Sequence, residues 1–381
     1  MRHILVLMHA WTATIQEGIA TYLFQHPAWS CARIQPIPEC ISYIHDGKFD
    51  GAIVFLEQSY LSEVRSLQIP VVEISNWLSE ISFPRVVTDD EAIGRLAASY
   101  LMELGLTNFG VVGRINDPLY STIRVKSFVH AVEKEGFAVD ISPTGQVGQA
   151  GQVTTPGDVV SPLGAWLRKI PKPAAIFAVD DNIASDVLEL CRFLKIMVPD
   201  ELCVLGVDND TLATQFARPP LSSIAVPGPK IGFEAARLLD CLIDGEPPPT
   251  KPVCLPPIGV VPRQSTNMLA VADEDVRTAI RFIRENVHEQ ISVKDVLEVV
   301  PLNRRYLERK FLSVIGRTPL QEIGRQRIER AKMLLAETDL SMPAIAKRSG
   351  FPNRVRLANV FHDKTGMTPT EYRRTFRLHT E

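Results

Sequence analysis

Two hydrophobic patterns divide this chain of 381 residues. From Met1 to about Val261, apolar runs of strand length alternate with stretches in which apolar residues recur every three or four positions, as on one face of a helix. The runs HILVLM, GAIVFL, PVVEIS, FGVVG, AAIFAV and LCVLGV are rich in β-branched residues, which favour strands. This alternation predicts parallel sheets covered by helices, and its length favours two α/β lobes over a single sheet.

The alternation ends at the proline-rich segment GEPPPTKPVCLPP, after which the long segments have helical periodicity. Crossings of the chain between the two lobes are expected near Asn108, Ile224 and Pro252. The predicted boundaries are 1–265 for the two-lobed α/β domain, 266–272 for a linker and 273–381 for an all-α domain.

The all-α domain carries one pattern twice, starting at Ile291 and at Leu340. The matched pairs are Ser292 with Ser341, Val296 with Ile345, Leu302 with Phe351, Phe311 with Phe361, Gly316 with Gly366, and Thr318-Pro319 with Thr368-Pro369. Each copy predicts a short helix, a turn and a second, basic helix, over about 292–312 and 341–362. A duplicated helix-turn-helix can place two recognition helices in DNA, so the repeat predicts a DNA-binding domain.

Capping sequences mark helix starts in this domain. A Ser or Thr is followed three residues later by an acidic or amide residue at Ser292–Asp295, Thr318–Gln321 and Thr368–Glu371. Such reciprocal caps satisfy backbone amides that the first turn leaves free. They therefore predict helices that begin immediately after residues 292, 318 and 368.

The second helix of each unit divides into two faces. The apolar face, assigned to the core, comprises Leu302, Tyr306, Leu307 and Phe311 in the first unit and Phe351, Leu357, Val360 and Phe361 in the second. The outward face is predicted to contact DNA through Arg304, Arg305, Glu308, Arg309 and Lys310 in the first unit and Asn353, Arg354, Val355, Arg356 and Asn359 in the second. Arg, Asn and Glu suit the edges of guanine, adenine and cytosine, and Val suits the thymine methyl group. The alternative is a solvated basic face without a partner.

Charge supports the DNA interpretation. The net charge of −3 combines +6 over residues 270–381, from 21 basic and 15 acidic residues, with −9 over the rest. A basic domain on an acidic body is typical of a regulator whose body does not itself bind nucleic acid. The six cysteines lie far apart, with no zinc-site spacing, and indicate reduced thiols in a cytoplasmic protein without metal or other cofactor.

The all-α domain resembles the AraC-type DNA-binding domain. The matching positions are Ala346, Gly350, Phe351, Phe361, Gly366, Thr368, Pro369, Tyr372 and Arg373. The resemblance implies seven helices, with two recognition helices entering successive major-groove segments on one face of the DNA. By position it implies base contacts from Arg305, Glu308 and Arg309 and from Arg354, Val355, Arg356 and Asn359.

The α/β domain resembles the sugar-binding core of LacI-type repressors, which has a periplasmic-binding-protein-like fold. The similar stretches include VVTDDEAIGRLAASYLMELGLTNFGVVG and AAIFAVDDNIASDVLELCRFLKIMVPDELCVLGVDND. A LacI-type sensor followed by an AraC-type domain is the arrangement of the xylose operon regulator family. This resemblance implies effector contacts at Arg124, Asp180 and Asp208, with Trp11 stacking on a sugar ring. A helix N-cap explains Asp180 about as well.

The resemblance implies a cytoplasmic, sugar-controlled transcription factor that is not an enzyme, with activation favoured over repression. Its expected partners are promoter DNA, a small sugar such as a pentose, a second copy of the chain in a homodimer and, for activation, RNA polymerase. Two alternatives are a sugar-processing enzyme, which lacks support from any catalytic motif, and a secreted binding protein, which the basic repeated domain argues against. The apolar start HILVLM fits a buried strand better than a signal peptide, and no apolar run is long enough to cross a membrane.

Overall fold

The computed structural model describes residues 1–9, 13–37, 44, 47–113, 118–143, 161–267 and 273–376. Its strands are β1 (Arg2–Leu7), β2 (Trp29–Ile34), β3 (Gly51–Val54), β4 (Val71–Glu73), β5 (Val86–Thr88), β6 (Asn108–Val112), β7 (Val139–Ile141), β8 (Ala174–Ala178), β9 (Leu202–Asp208), β10 (Ser222–Ala225), β11 (Val253–Leu255) and β12 (Gly259–Val261).

The strands form two main sheets, each the centre of one lobe, and a third sheet of two strands, β5 and β11. The first sheet has the order β2-β1-β3-β4 and is entirely parallel. A bridge between Glu73 and Arg85 extends it towards β5, which pairs with β11. The second sheet has the order β12-β10-β9-β8-β6-β7, in which only β12 runs antiparallel to its neighbour. The chain passes between the lobes after β5, after β10 and after β11.

Eight helices accompany these sheets in the described part of the chain. They are α1 (Ala13–Gln25), α2 (Leu61–Ser66), α3 (Asp90–Met102), α4 (Leu119–Lys134), α5 (Pro162–Lys169), α6 (Asp181–Leu194), α7 (Thr211–Phe216) and α8 (Gly228–Ile243). Helix α1 approaches α8 so closely that a Cβ atom at Gly18 or Gly232 would lie 1.9 Å from a backbone oxygen of the other helix. Only glycine permits this contact, which fixes α1 beside the first sheet.

The remaining seven described helices follow residue 272. They are α9 (Glu274–Asn286), α10 (Val293–Val299), α11 (Arg304–Ile315), α12 (Pro319–Glu337), α13 (Met342–Arg348), α14 (Arg354–Thr365) and α15 (Pro369–Phe376). The predicted caps are present: Ser292 and Thr318 form capping boxes with Asp295 and Gln321. Thr368 and Glu371 exchange equivalent bonds of 2.7 and 3.2 Å. Within the described ranges, each helix is too short or too polar to span a bilayer.

The prediction for the apolar face of the first unit is wrong at one position, Tyr306. Leu307 and Phe311 are fully buried, as expected, but Tyr306 is 38% exposed. Consecutive residues of a helix point about 100° apart, so Tyr306 lies at the edge of the apolar face whose centre Leu307 and Phe311 occupy. The ring of Tyr306 instead lies beside the charged groups of Arg309 and Lys310, 5.0 and 5.2 Å from its centroid.

The two helix-turn-helix units have different cores. The first unit packs α9, α10 and α11 around its own apolar centre, with Ile323 from α12. The core of the second unit includes Ala225 and Ile258 from the α/β domain, which pack with Ile328, Phe361 and other residues of the all-α domain. The hydroxyl of Tyr372 donates a 2.7 Å hydrogen bond to the carbonyl of Ile258. The all-α domain is therefore docked on the α/β domain and shares a core with it.

A partly buried ion-pair network lies at this junction, around the fully buried Glu322. Arg325 of α12 donates to Glu322 at 2.9 Å and pairs at 2.6 Å with Glu103, the residue after α3. Arg317 also pairs with Glu322. Burial alone would raise the pKa of Glu322, but its bonds to Arg325 and the two arginine charges hold that pKa at about 2. Glu103 differs, because burial outweighs the arginines and raises its pKa.

The substitution Glu322→Gln is expected to lower the free energy of unfolding by about 3–5 kcal/mol, because it leaves two arginines of the junction short of a buried counter-charge. The stabilisation by Glu322 is complete above its unfolded-state pKa of about 4.3 and is lost as the pH falls towards 2. The variant should therefore also lose less stability than the wild type over that range. Urea unfolding followed by circular dichroism measures both effects. Glu285→Gln, at an exposed position of α9, is the control, and equal stability of the two variants would contradict the assignment.

Candidate functional site

Three of the predicted effector residues lie at the carboxyl ends of strands in the second lobe. Asp208 is the last residue of β9, Asp180 follows β8 by two residues, and Arg124 lies on α4, which follows β6 along the chain. Ends of parallel strands at a crevice are where α/β proteins bind small molecules. The fourth predicted residue, Trp11, lies outside the described residues.

Arg124 is buried and held in one orientation. Its Nε donates to Asp90 at 2.8 Å and its Nη1 to the carbonyl of Val179 at 2.7 Å. Nη1 also lies 3.9 Å from a carboxylate oxygen of Asp208. Burial would lower the pKa of Arg124, but the carboxylates of Asp90 and Asp208 outweigh it and raise the pKa. Arg124 thus presents a fixed positive charge beside Asp208.

Asp208 is the accessible member of this group. Its side chain is 43% exposed, and its backbone has a φ of +107°, which is unusual for a residue with a Cβ atom. Asn209, which follows it, also has a positive φ, of +54°. Such conformations cost about 1–3 kcal/mol each and cluster at ligand sites, where the surrounding structure maintains them. The strained turn directs the carboxylate of Asp208 towards Arg124.

Asp180 caps helix α6. One carboxylate oxygen accepts from the amide of Ile183 at 3.0 Å, and the other accepts from the hydroxyl of Tyr120 at 3.1 Å. Only 3% of the residue is exposed. The helix cap that the sequence offered as an alternative is therefore present, and the second carboxylate oxygen of Asp180 is taken up by Tyr120.

A second carboxyl group, that of Asp181, supports the turn that contains Asp208. Asp181 accepts from the hydroxyl of Ser223 at 2.6 Å and from the amide of Asp210 at 2.8 Å. Burial, followed by the charge of Asp208, raises the pKa of Asp181 well above its usual range. These bonds join the turn after β9 to β10 and α6. Asp181 is thus a buried support for the turn that holds Asp208.

The residues that join the two lobes here were not predicted from the sequence. Asp90 accepts a hydrogen bond from Arg124 of the second lobe. It accepts another, of 2.8 Å, from the side-chain amide of Asn76 of the first lobe. The amide of Tyr120 donates to the carbonyl of Asn76 at 2.9 Å. Asp90 and Asn76 therefore bond both walls of the cleft. The dipeptide Asp89-Asp90, directly after a β-branched run, was the feature of the sequence that could have indicated Asp90.

An aromatic surface lines the same junction. The ring centroid of Trp77 lies 5.7 Å from that of Tyr120 and 6.0 Å from that of Phe55. Trp77 is half-buried. Sugar rings have apolar faces that pack on aromatic side chains, so Trp77 and Tyr120 provide the kind of surface that the sequence had assigned to Trp11.

The predicted DNA-contacting residues of the first unit are only partly available. Arg304 and Arg305 in the first turn of α11 are exposed, and so is Arg309 in the middle of the helix. Arg304 donates to Glu308 at 2.9 Å, which partly neutralises both side chains. Lys310 forms ion pairs with Asp273 and Asp275 at the start of α9, at 2.8 and 2.5 Å. Those bonds raise the pKa of Lys310 and direct it towards the protein.

The second unit presents a more open face. Asn353 caps α14 through a 2.9 Å bond from the amide of Arg356, as Asn303 caps α11. Arg354, Arg356 and Asn359 are exposed, and Val355 is 61% exposed. Within the described ranges, no hydrogen bond or ion pair joins the side chain of Arg354 or Arg356 to another residue. Two unpaired arginines in the first turn of a recognition helix suit base edges or phosphates.

Family models match both parts of the chain. A periplasmic binding protein-like domain matches residues 98–266, and a helix-turn-helix domain matches residues 297–375. These matches confirm the predicted fold class of a periplasmic-binding-protein-like sensor followed by an all-α domain with helix-turn-helix units.

Curated relatives match over most of the chain. The xylose operon regulatory protein of Haemophilus influenzae is 34% identical over 337 residues, which cover 87% of this chain and 86% of that protein. The protein of the same name from Escherichia coli K12 is 31% identical over 376 residues, with 96% and 94% covered. These relatives are transcription regulators, not enzymes, as the sequence predicted.

Solved structures agree with this assignment. A xylose-binding transcription activator has a TM-score of 0.61 and 27% identity, with 99% of each chain covered. A LacI-type regulator from Alkaliphilus metalliredigens in complex with D-xylulofuranose, at 17% identity and a TM-score of 0.56, covers 70% of this chain and shares the sensor fold. By its length of match and its identity to curated relatives, the chain belongs to the family of xylose operon regulatory proteins.

Proposed function

We propose that this transcription regulator binds a pentose between its lobes and that xylose is the first sugar to test. The main support for this proposal is the pair formed by Arg124 and Asp208 at the mouth of the cleft. A guanidinium and a carboxylate held side by side offer adjacent donors and acceptors, which match neighbouring sugar hydroxyls. The names of the relatives support xylose, since they are xylose operon regulators.

The remaining effector contacts follow from the same geometry. Asp208 accepts from sugar hydroxyls, and Arg124 donates to a ring or hydroxyl oxygen. Tyr120, which donates to Asp180, and Trp77 supply an apolar wall. Asp180 contributes through its bond to Tyr120, and Trp11 retains its predicted stacking role. Ligand closes the cleft about the three connections between the lobes, which follow β5, β10 and β11, as hinge proteins do.

The recognition helices α11 and α14 enter the major groove. Base contacts come from Arg305, Glu308 and Arg309 in the first unit. In the second unit they come from Arg354, Val355, Arg356 and Asn359. Arg304, which is paired with Glu308, suits a phosphate. Asn353 acts indirectly by capping α14. Lys310 also acts indirectly, because its ion pair with Asp273 fixes the position of α11 against α9.

Helix α3 couples the two functions. Its first turn carries Asp90, which bonds Arg124 and Asn76 at the cleft, and Glu103 directly follows it and pairs with Arg325 of the DNA-binding domain. Thirteen helical residues form a rod of roughly 20 Å. When the lobes close on a sugar, a change at Asp90 moves the rod and with it the contact between Glu103 and Arg325.

We also propose where the domains begin and end and how the regulator assembles. The sensor ends near residue 265, since Ser265 bonds to β9 and β10 and Thr266 bonds to Tyr100 of α3. The linker covers 266–272 and the DNA-binding domain 273–381. The regulator works in the cytoplasm as a homodimer, because paired domains fit paired DNA sites. Activation follows when a bound domain lies beside RNA polymerase.

The first test replaces the accessible carboxylate. Asp208→Asn is expected to weaken xylose binding about 10- to 100-fold, because charged hydrogen bonds contribute about 1.5–3 kcal/mol. Isothermal titration calorimetry of the full chain measures this loss. Asp200→Asn, at an exposed position outside the cleft, is the matched control and should bind as the wild type does. Unchanged affinity in Asp208→Asn would remove Asp208 from the site.

The second test concerns base recognition by α14. Arg354→Ala is expected to cost about 1–3 kcal/mol at one base position and to relax the preference there. Selection of bound sequences from a random DNA pool, followed by anisotropy titrations of single-base variants, measures this effect. Arg281→Ala removes the same charge from an exposed position of α9 and serves as control. Uniform weakening on every sequence would assign Arg354 to a phosphate instead.

The third test concerns coupling through α3. Glu103→Gln is expected to reduce the coupling between xylose and DNA binding by about 0.5–2 kcal/mol while xylose itself still binds. DNA titrations with and without saturating xylose measure the coupling. The control, Glu91→Gln, lies on the same helix with its side chain 71% exposed. A wild-type response to xylose in Glu103→Gln would rule out this path.

A further inference from the structure

A cavity of about 480 Å³ lies between the sensor and the DNA-binding domain. One wall comes from α3, through residues such as Leu96, Ser99 and Tyr100. The opposite wall comes from α9, α12 and α14 of the DNA-binding domain. None of the proposed sugar contacts among the described residues lines it, so it is separate from the site around Arg124 and Asp208. Its volume is that of a site for a small metabolite.

Positive charge dominates the lining of this cavity. Among the residues that the structure describes, five cationic side chains and two carboxylates line it, the carboxylates being those of Glu103 and Glu329. The cationic residues are Arg284, Arg317, Arg325, Lys332 and Lys364.

Ion pairs account for three of these cations. Arg325 pairs with Glu103 and with the buried Glu322, Arg317 also pairs with Glu322, and Lys332 pairs with Glu329 at 2.8 Å. Three carboxylates thus neutralise three positive charges. In the described ranges, the side chains of Arg284 and Lys364 have no hydrogen bond or ion pair. The cavity therefore keeps two positive charges without a counter-charge.

We propose that this cavity is a second ligand site, which binds a small metabolite through a phosphate group. A phosphate monoester carries about −1.5 to −2 charges at pH 7, which matches the two uncompensated cations. Arginine is well suited to phosphate because its planar donors bond two oxygens at once, and lysine adds a point charge. The carbon skeleton of the metabolite lies against Leu96 and Ile328, and its hydroxyls reach Ser99 and Gln321.

Such a ligand bridges the two domains. Arg284 is on α9 and Lys364 in the last turn of α14, whereas Leu96, Ser99 and Tyr100 belong to the sensor. A molecule that touches both walls binds the docked arrangement more tightly than a separated one. The regulator would thereby receive a second signal, independent of the sugar cleft, at the junction that α3 and α12 share.

The proposal is tested with the full chain without DNA, using glucose 6-phosphate, inorganic phosphate and xylose as separate probes at constant ionic strength. Glucose 6-phosphate should raise the melting temperature, and Arg284→Gln and Lys364→Gln should each weaken its binding about tenfold or more. Arg281→Gln, an exposed arginine on the same helix, should have no effect. Glu329→Gln removes a negative charge from the lining and should tighten binding.

The outcomes separate this site from the effector cleft. Retained xylose binding in Arg284→Gln together with lost phosphate binding supports two sites, whatever sugar the cleft prefers. Equal affinity for inorganic phosphate and glucose 6-phosphate would identify free phosphate as the ligand, and tighter binding of the ester would identify a phosphorylated metabolite. The proposal is overturned if potassium chloride at equal ionic strength reproduces the thermal shift, or if Arg284→Gln and Arg281→Gln behave alike.

Discussion

The arrangement of the domains depends on the neutralisation of Arg325. This arginine lies at the domain junction, where removal of a charge from water costs several kcal/mol unless carboxylates compensate it. One carboxylate, Glu322, comes from its own helix, and the other, Glu103, comes from the sensor. Separation of the domains would remove one of these partners. A buried ion pair adds little net stability, but it fixes the relative position of the surfaces that it joins.

The apolar contacts of the junction also fix the position of the DNA-binding domain on the sensor. The second unit completes its core with Ala225 and Ile258 of the sensor, whereas the first unit has a core of its own. Ala225 ends β10, the strand that pairs with β9, and β9 ends at Asp208. Ala225, which contacts the DNA-binding domain, is thus the register partner of the cleft residue Asp208 on the adjacent strand. Sensor and DNA-binding domain are parts of one packed structure, joined by more than a linker.

The sequence predicted what local chemistry determines. Capping residues such as Thr318 located helix starts because a cap interacts with amides only two or three residues away. Residue types also predicted the two lobes and the position of Asp208 at a strand end. The error at Tyr306 came from assigning neighbouring positions to one face, although adjacent helical residues diverge. Contacts across long sequence separations were missed, among them the bond from Arg124 to Asp90 and the pairing of Lys310 with Asp273. Periodicity within one element contains no information about which other element it meets.

The position of α12 limits how a signal from the sensor can act. This helix of 19 residues contacts α9 and α11 of the first unit and α13, α14 and α15 of the second, and it also packs on β12 of the sensor. Both recognition helices are therefore held by one element, and the distance between them is set within the DNA-binding domain. A movement of Glu103 would act on α12 through Arg325 and therefore on both units at once. Because α12 fixes the spacing of the two recognition helices within the chain, a signal that reaches α12 would change the orientation of the whole DNA-binding domain relative to the sensor and leave that spacing constant.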